Sequence, residues 1–173
     1  MAVPQELETL ETPRLTLRPA GERDLPSITA WWNDPTVRRM HGLGLEPLLE
    51  AAVRRWLDVP TRALAWVARR REDDEAVGVI EMSPREARGA SGSAPLFELG
   101  IALDAAARGQ GLGREMIECL CAWAFERRGA QAVLAEVRQD NAPALRAFAA
   151  CGFSVEAVAS GVVRMRRRGA GDS

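Results

Sequence analysis

Residues 97–120 read FELGIALDAAARGQGLGREMIECL, a strand pattern, a glycine run and a helix pattern in succession. Phe97, Leu99, Ile101 and Leu103 alternate with Glu98, Gly100 and Ala102, the two-residue period of a strand with one apolar face. Met116, Ile117, Leu120, Cys121 and Ala124 recur at helical spacing, with Glu115, Glu118 and Glu126 on another face. Between them stands Arg108-Gly-Gln-Gly-Leu-Gly113. Gly109, Gly111 and Gly113 let the main chain approach a ligand with no Cβ in the way. The free amides that open the following helix, with its dipole, attract an anion such as a phosphate or pyrophosphate. A tight turn without a ligand is the plain alternative. Two phosphate motifs are excluded. A P-loop requires Lys and then Ser or Thr after its last glycine, where Arg114-Glu115 stand. A G-x-G-x-x-G fingerprint started at Gly109 or Gly111 puts Arg114 or Met116 at its last glycine.

Upstream, Arg14 to Arg18 alternates as an opening strand ended by Pro19. Asp24 can cap a helix with Pro26 in its first turn, running through Ile28, Trp31 and Trp32 towards Asn33-Asp34-Pro35. After the break His41-Gly-Leu-Gly44, a second helix is predicted from about Glu46 to Asp58 on the spacing of Leu49, Val53, Trp56 and Leu57. Leu64–Ala68 and Ala76–Ile80 flank a charged turn, an antiparallel hairpin, and Ser83 to Ala94 reads as a mobile loop. Downstream, Val133 to Val137 is a strand. Asn141 caps a short helix with Pro143 in its first turn and Gly152 at its stop. Val155–Val158 and Val162–Met165 close a sheet. The sum is a mixed α/β or α+β sheet.

Composition bounds the function. The chain has 173 residues, 47% hydrophobic and 27% charged, enough for one domain with a real core. Lys+Arg 23 against Asp+Glu 24 gives a net charge of -1, which argues against a nucleic-acid binder. No apolar run is long enough to cross a membrane, and the acidic N-terminal stretch lacks a signal-peptide pattern. Cys119, Cys121 and Cys151 contain no C-x-x-C and predict reduced thiols in a cytoplasmic protein, with neither a disulfide framework nor a metal site. Lys and Tyr are both absent.

Arg108-x-x-Gly111-x-Gly113 after a strand, with Asn141, Ala144, Phe148 and Gly152-Phe153 beyond it, resembles the GCN5-related N-acetyltransferase (GNAT) superfamily. Thr12-Pro-Arg-Leu-Thr-Leu-Arg-Pro19, Asp24-Leu25 and Trp32-Asn-Asp-Pro-Thr-Val37 are similar to the opening of the branch that acetylates ribosomal-protein N-termini. Glu98-Leu-Gly-Ile101 and Glu136-Val137 continue the likeness, which runs from about residue 12 to residue 157. It implies an acyl-CoA N-acyltransferase fold: a splayed mixed sheet with helices on both faces, holding acetyl-CoA in a V-shaped opening. It also implies a single N-acetyltransferase domain over 1–173, with a core of about 12–168 and short tails. The backbone of Ile101, Ala102 and Leu103 would pair with the pantetheine arm. The amides of Arg108, Gly109, Gln110, Gly111, Leu112 and Gly113 would hold the pyrophosphate. Asn141 would bond the pantetheine as well as cap its helix, and Phe148 would pack beside the thioester. Arg108 and Arg114 would meet the ribose phosphate or stay solvated. No metal is implied, and a homodimer is left open.

The implied reaction is direct attack of a neutral amine on the thioester. An α-amino group of pKa about 7.7–8.0 is already roughly a quarter to a third neutral at pH 7.5, whereas a lysine at about 10.4 is not. Glu98, opposite the apolar face of its strand, is the expected base, with Glu81 and Glu136 as rivals. Trp31, Trp32, Asp34, His41 and Trp56, with Arg164-Met-Arg-Arg-Arg168, would shape the acceptor side. The acceptor is read as a primary amine: a protein or peptide N-terminus, or a small molecule such as an aminoglycoside-like antibiotic. A non-catalytic acyl-CoA-binding module is the other reading. Many members place a Tyr where Phe148 stands, to protonate the leaving thiolate; here Cys151 or a water would have to serve. Without a phenol, the rate should stay level at alkaline pH instead of falling near pH ~10. A descending limb in the wild-type pH–rate profile that Cys151→Ala leaves untouched would reveal an acid outside this set.

Overall fold

The computed structural model describes residues 7–44, 46–58, 64–85 and 95–169. Their strands are β1 (Leu10–Glu11), β2 (Leu15–Pro19), β3 (Leu64–Arg70), β4 (Ala76–Arg85), β5 (Leu96–Leu103), β6 (Ala132–Arg138), β7 (Ser154–Ala159) and β8 (Val162–Arg168). The helices are α1 (Leu25–Asn33), α2 (Pro35–Met40), α3 (Glu50–Leu57), α4 (Leu112–Arg128) and α5 (Ala142–Ala150). The strands form one sheet in the order β1-β2-β3-β4-β5-β6-β8-β7. Neighbours are antiparallel except β5 and β6, which α4 connects as a parallel crossover.

That parallel contact is short. Leu96, Phe97 and Glu98 pair with Ala132, Val133 and Leu134, and then the strands part. β5 continues to Leu103 held by β4, and β6 continues to Arg138 held by β8, so a V opens between them.

Strand alternation sorts the side chains. On one face Trp66, Ile80, Met82, Phe97 and Leu99 join Met116, Ile117 and Leu120 of α4 and Phe148 of α5 in the larger core. Trp123 of α4 packs edge-on against Trp66 at 4.9 Å. On the other face Val67, Val79 and Ala102 meet Leu25, Ile28 and Trp31 of α1, Val37 of α2 and Val53 of α3. Mixed strands with helices on both faces are the expected fold class.

Several boundaries differ from expectation. The first helix ends at Asn33, and Asp34 starts a separate one, accepting from the main-chain N–H of Thr36 and Val37 with Pro35 next in line. Asp24 does not cap α1. Its buried carboxylate reaches back to Gly21 N at 3.0 Å across a short 3-10 turn, Glu22–Asp24. The second helix begins at Glu50, not near Glu46. β4 runs through Ser83 and Pro84 to Arg85, which are strand where a loop was expected; the rest of that expected loop, residues 86–94, lies outside the described residues.

The proline is accommodated by register. Asp104 N donates to Val77 O, and every later β4–β5 pair keeps that register, so bonded and non-bonded pairs alternate from there. Pro84 faces Phe97 at a non-bonded pair, where no N–H is required.

Packing between β4 and β5 is close enough to forbid a methyl group. A Cβ at Gly78 would lie 2.6 Å from Ala102 O and 2.9 Å from Leu103 Cδ2. Gly78→Ala should therefore destabilise the protein by about 1–3 kcal/mol, the cost of overpacking, read as a lower urea midpoint at unchanged slope.

Candidate active site

The alternation that accommodates Pro84 also aims the edge of β5. Ile101 and Leu103 sit at non-bonded pairs with β4, so their N–H and C=O groups turn away from β4 into the V. No β6 residue pairs with them. Side chains cover both carbonyls. His41, just past α2, donates from Nε2 to Ile101 O at 3.0 Å. Arg108 donates from Nη2 to Leu103 O at 3.0 Å and also meets Asp34 Oδ1 at 3.1 Å. Burial holds the His41 pKa below its usual value against the opposing pull of the Ile101 carbonyl, so the ring is neutral at pH 7. Trp32 packs edge-on against it at 4.8 Å.

The V forms a cleft of about 130 Å³ whose lining includes His41, Glu81, Glu98, Glu136, Asn141 and Phe148. All three carboxylates named from the sequence are therefore in one place, and their surroundings separate them. Glu98 Oε2 lies 2.6 Å from Arg85 Nη2, and Glu136 Oε1 lies 2.6 Å from Arg164 Nη2, both partly exposed. Glu81 has no cationic partner among the described residues. It stands opposite Gly100 in the β4–β5 ladder and folds over it, since a Cβ at Gly100 would be 2.7 Å from Glu81 Oε1. Burial first, and the nearby Glu98 charge second, push the Glu81 pKa up to about 7, against a hydrogen bond from Trp56. Sequence reasoning had ranked Glu81 below Glu98. The signal it lacked was the pairing of Glu81 with a glycine, which needs the register of the two strands.

The glycine run lies where expected, ahead of α4. Gly109 and Gly111 have φ of 75° and 77°, the left-handed conformation that favours glycine, and Leu112 returns to helix. Left-handed glycines followed by a helical residue are the backbone sequence from which anion-binding nests of consecutive N–H groups are built. Arg14 lies against the run, its Nη1 donating to Gln110 O at 2.9 Å.

The remaining named residues divide. Arg108 contributes its main chain to the glycine run, while its guanidinium is engaged with Leu103 O and Asp34. Arg114 pairs with Glu118 along α4 at 3.1 Å. Asn141 Oδ1 accepts from Ala144 N at 3.3 Å, and its amide nitrogen makes no protein hydrogen bond among the described residues. Phe148 packs edge-on against Phe153 at 5.0 Å. Cys151 Sγ is not among the cleft's lining atoms; it points to Arg114 O, and burial raises its pKa to about 11. Trp31 joins the core and donates from Nε1 to Asp104 Oδ2 at 3.0 Å. Among the described residues no helix is long and apolar enough to cross a membrane, and no cluster of His, Cys, Asp and Glu could hold a metal ion.

The family model described as an acetyltransferase (GNAT) domain matches residues 14–154. An acetyltransferase from Agrobacterium tumefaciens superimposes with a TM-score of 0.73 at 22% identity, over 94% of this chain and 95% of that one. The spermidine N-acetyltransferase of Vibrio cholerae, in complex with CoA and spermine, gives 0.76 at 18% identity over 91% and 96%. A ribosomal-protein-S5-alanine acetyltransferase from Vibrio fischeri gives 0.70 at 16% identity over 95% and 98%. At these identities the likeness is one of fold. No curated protein matches the chain in sequence.

The buried carboxyl makes a prediction about stability. The pKa of Glu81 is raised from 4.5 to about 7 on folding. Its neutral form favours the fold fully below pH ~4.5, and that contribution is lost as pH rises through about 7. Glu81→Gln, which is always neutral and can still accept from Trp56, should exceed the wild type in stability at pH 8 by on the order of 1–3 kcal/mol. The gain should vanish at pH 4. Equal denaturant midpoints for the two proteins at both pH values would refute the buried-charge account.

Proposed function

The chain belongs to the acetyltransferase (GNAT) family, and we propose that it moves the acetyl group of acetyl-CoA to a primary amine in the β5–β6 cleft, with Glu81 as the base. The observation that carries this reading is one carboxyl, buried beside the part of β5 that has parted from β6, whose pKa is raised to about 7 without a cationic partner among the described residues. Such a group holds no proton above neutrality and accepts one readily, which is what general-base work near pH 7 requires.

The residues present fit an acyl-CoA. The N–H of Ile101, which faces the V with no β6 partner, can donate to an extended amide-bearing arm lying along β5. Gly109, Gln110, Gly111, Leu112 and Gly113 offer amides to a diphosphate, and the amide nitrogen of Asn141 is free to donate. Acetyl-CoA, when bound, supplies a thioester carbonyl as electrophile. Glu81 takes the proton of the acceptor ammonium, directly or through a water. As the nitrogen–carbon bond forms and the carbon–sulfur bond breaks, the nitrogen gives its second proton to solvent, and the sulfur leaves as a thiolate and takes a proton from solvent, since Phe148 has none to give. Glu98 is ion-paired with Arg85 and acts on this step through its charge on Glu81.

The acceptor class follows from the base. A carboxylate with pKa near 7 suits an α-amino group or a weakly basic small-molecule amine better than an unperturbed lysine. Relatives of the same fold named for spermidine and for an alanine of a ribosomal protein support an amine acceptor.

The pH dependence of kcat/KM tests the base. In the wild type it should rise through an apparent pKa near 7. Glu81→Gln should remove that limb and slow turnover by about 10²-fold or more. Glu98→Gln should keep the limb but move it to lower pH, because a like charge has gone. The reverse pattern would make Glu98 the base. The donor site is tested separately: Gly111→Val, a branched residue at φ 77°, should abolish acetyl-CoA binding by calorimetry in a variant with a native circular dichroism spectrum.

A further inference from the structure

We propose that Arg14, remote in sequence from the glycine run, is a positioning residue for the donor's diphosphate: it fixes the Gln110–Gly111 peptide and cancels the charge of Glu115. The proposal rests on the reading of that run as the diphosphate site.

Arg14 precedes β2 and is tied to the start of α4 at several points. Its main-chain N–H donates to Glu115 Oε1 at 2.8 Å and its Nε to Oε2 at 2.7 Å. Thr12 Oγ1 also donates to Glu115 Oε1, at 2.5 Å. Its Nη1 reaches past Glu115 to Gln110 O at 2.9 Å. Arg14 therefore bridges the first turn of α4 and the loop before it.

Two consequences follow. In a planar trans peptide the C=O and the next N–H point in opposite directions. Anchoring Gln110 O on the Arg14 side turns Gly111 N–H to the other side, where Gly111 at φ 77° passes the chain into the helix. The bond is charge-assisted, and it polarises that amide into a stronger donor. The second consequence is electrostatic. Burial opposes ionisation of Glu115, but hydrogen bonds from Thr12, Arg14 N and the Arg14 guanidinium outweigh it, and its pKa falls. Glu115 is thus ionised at working pH, one turn from amides meant for an anion. Alone it would repel a diphosphate; paired with Arg14 it presents little net charge.

A merely structural Arg14 would affect every donor alike, so two donors decide. Acetyl-CoA carries the diphosphate and S-acetyl-pantetheine lacks it. In Arg14→Leu, the ratio of kcat/KM for acetyl-CoA to that for S-acetyl-pantetheine should fall about ten- to a hundred-fold, the worth of one charge-assisted bond. Adding Glu115→Gln should recover part of that ratio. If Arg14→Leu does not fold, Arg14→Lys, which keeps the charge but cannot hold Glu115 and Gln110 O together, carries the same comparison. Equal losses with both donors, or an unchanged ratio, overturn the proposal alone. A wild-type enzyme that uses the two donors equally well overturns the diphosphate reading and this proposal with it.

Discussion

The β5–β6 contact is three residue pairs long, and the rest of the site depends on its ending at Glu98 and Leu134. A strand that loses its partner inside a sheet exposes main-chain groups, each costing about 1–3 kcal/mol if buried and unpaired. Two side chains meet that cost here, His41 on Ile101 O and Arg108 on Leu103 O. Both connect to α2: His41 follows its last turn, and Arg108 holds Asp34, the residue that caps its first. A helix of six residues is thereby fastened at both ends to the open edge. The opening is held by packing and hydrogen bonds already present in the fold.

Within the V, burial decides which carboxylate is chemically distinct. Glu81, Glu98 and Glu136 share one cleft, but ion pairing satisfies two of them and leaves the third in a desolvated position. Gly100 makes that position possible, because any side chain there would displace the Glu81 carboxylate. The sheet thus carries a cost in folding stability above neutral pH for a carboxyl that is half-protonated near pH 7.

What was legible in the sequence is what local pattern controls. The alternation in β5, the helical spacing in α4, the glycines between them and the Asn141 cap with Pro143 behind it all lie where single-chain rules place them. The misses are non-local or compete with a neighbour. Asp24 does not cap α1 with its side chain because the carboxylate instead accepts from Gly21 N at the start of the 3-10 turn. Asp34-Pro35 was read as the end of one helix, although Asp followed by Pro also starts one. The preference for Glu98 over Glu81 could not draw on register, which places both on one face of the sheet. Only the cross-strand partners, Gly100 for Glu81 and the nearby Arg85 for Glu98, tell them apart.

The absent tyrosine is also settled by energetics more than by position. Phe148 is 3% exposed, packed on Phe153, and offers the cleft an apolar wall. Cys151 is not an adequate substitute acid. Its thiol, raised to about 11, is a weaker acid than an ordinary thiol at about 8.5, so protonating a departing thiolate from it would run uphill by a few kcal/mol, about 1.4 kcal/mol per pKa unit. Its sulfur is also turned to Arg114 O, and Cys151 is not among the residues that line the cleft. A phenol at about 10 would itself be uphill by roughly 2 kcal/mol, so what a tyrosine adds in such a site is proximity more than acidity. A thiolate whose conjugate acid has a pKa of about 8.5 is a good enough leaving group to depart without that help. The demand on the protein falls instead on removing the amine's proton, the step that the proposed reaction assigns to Glu81.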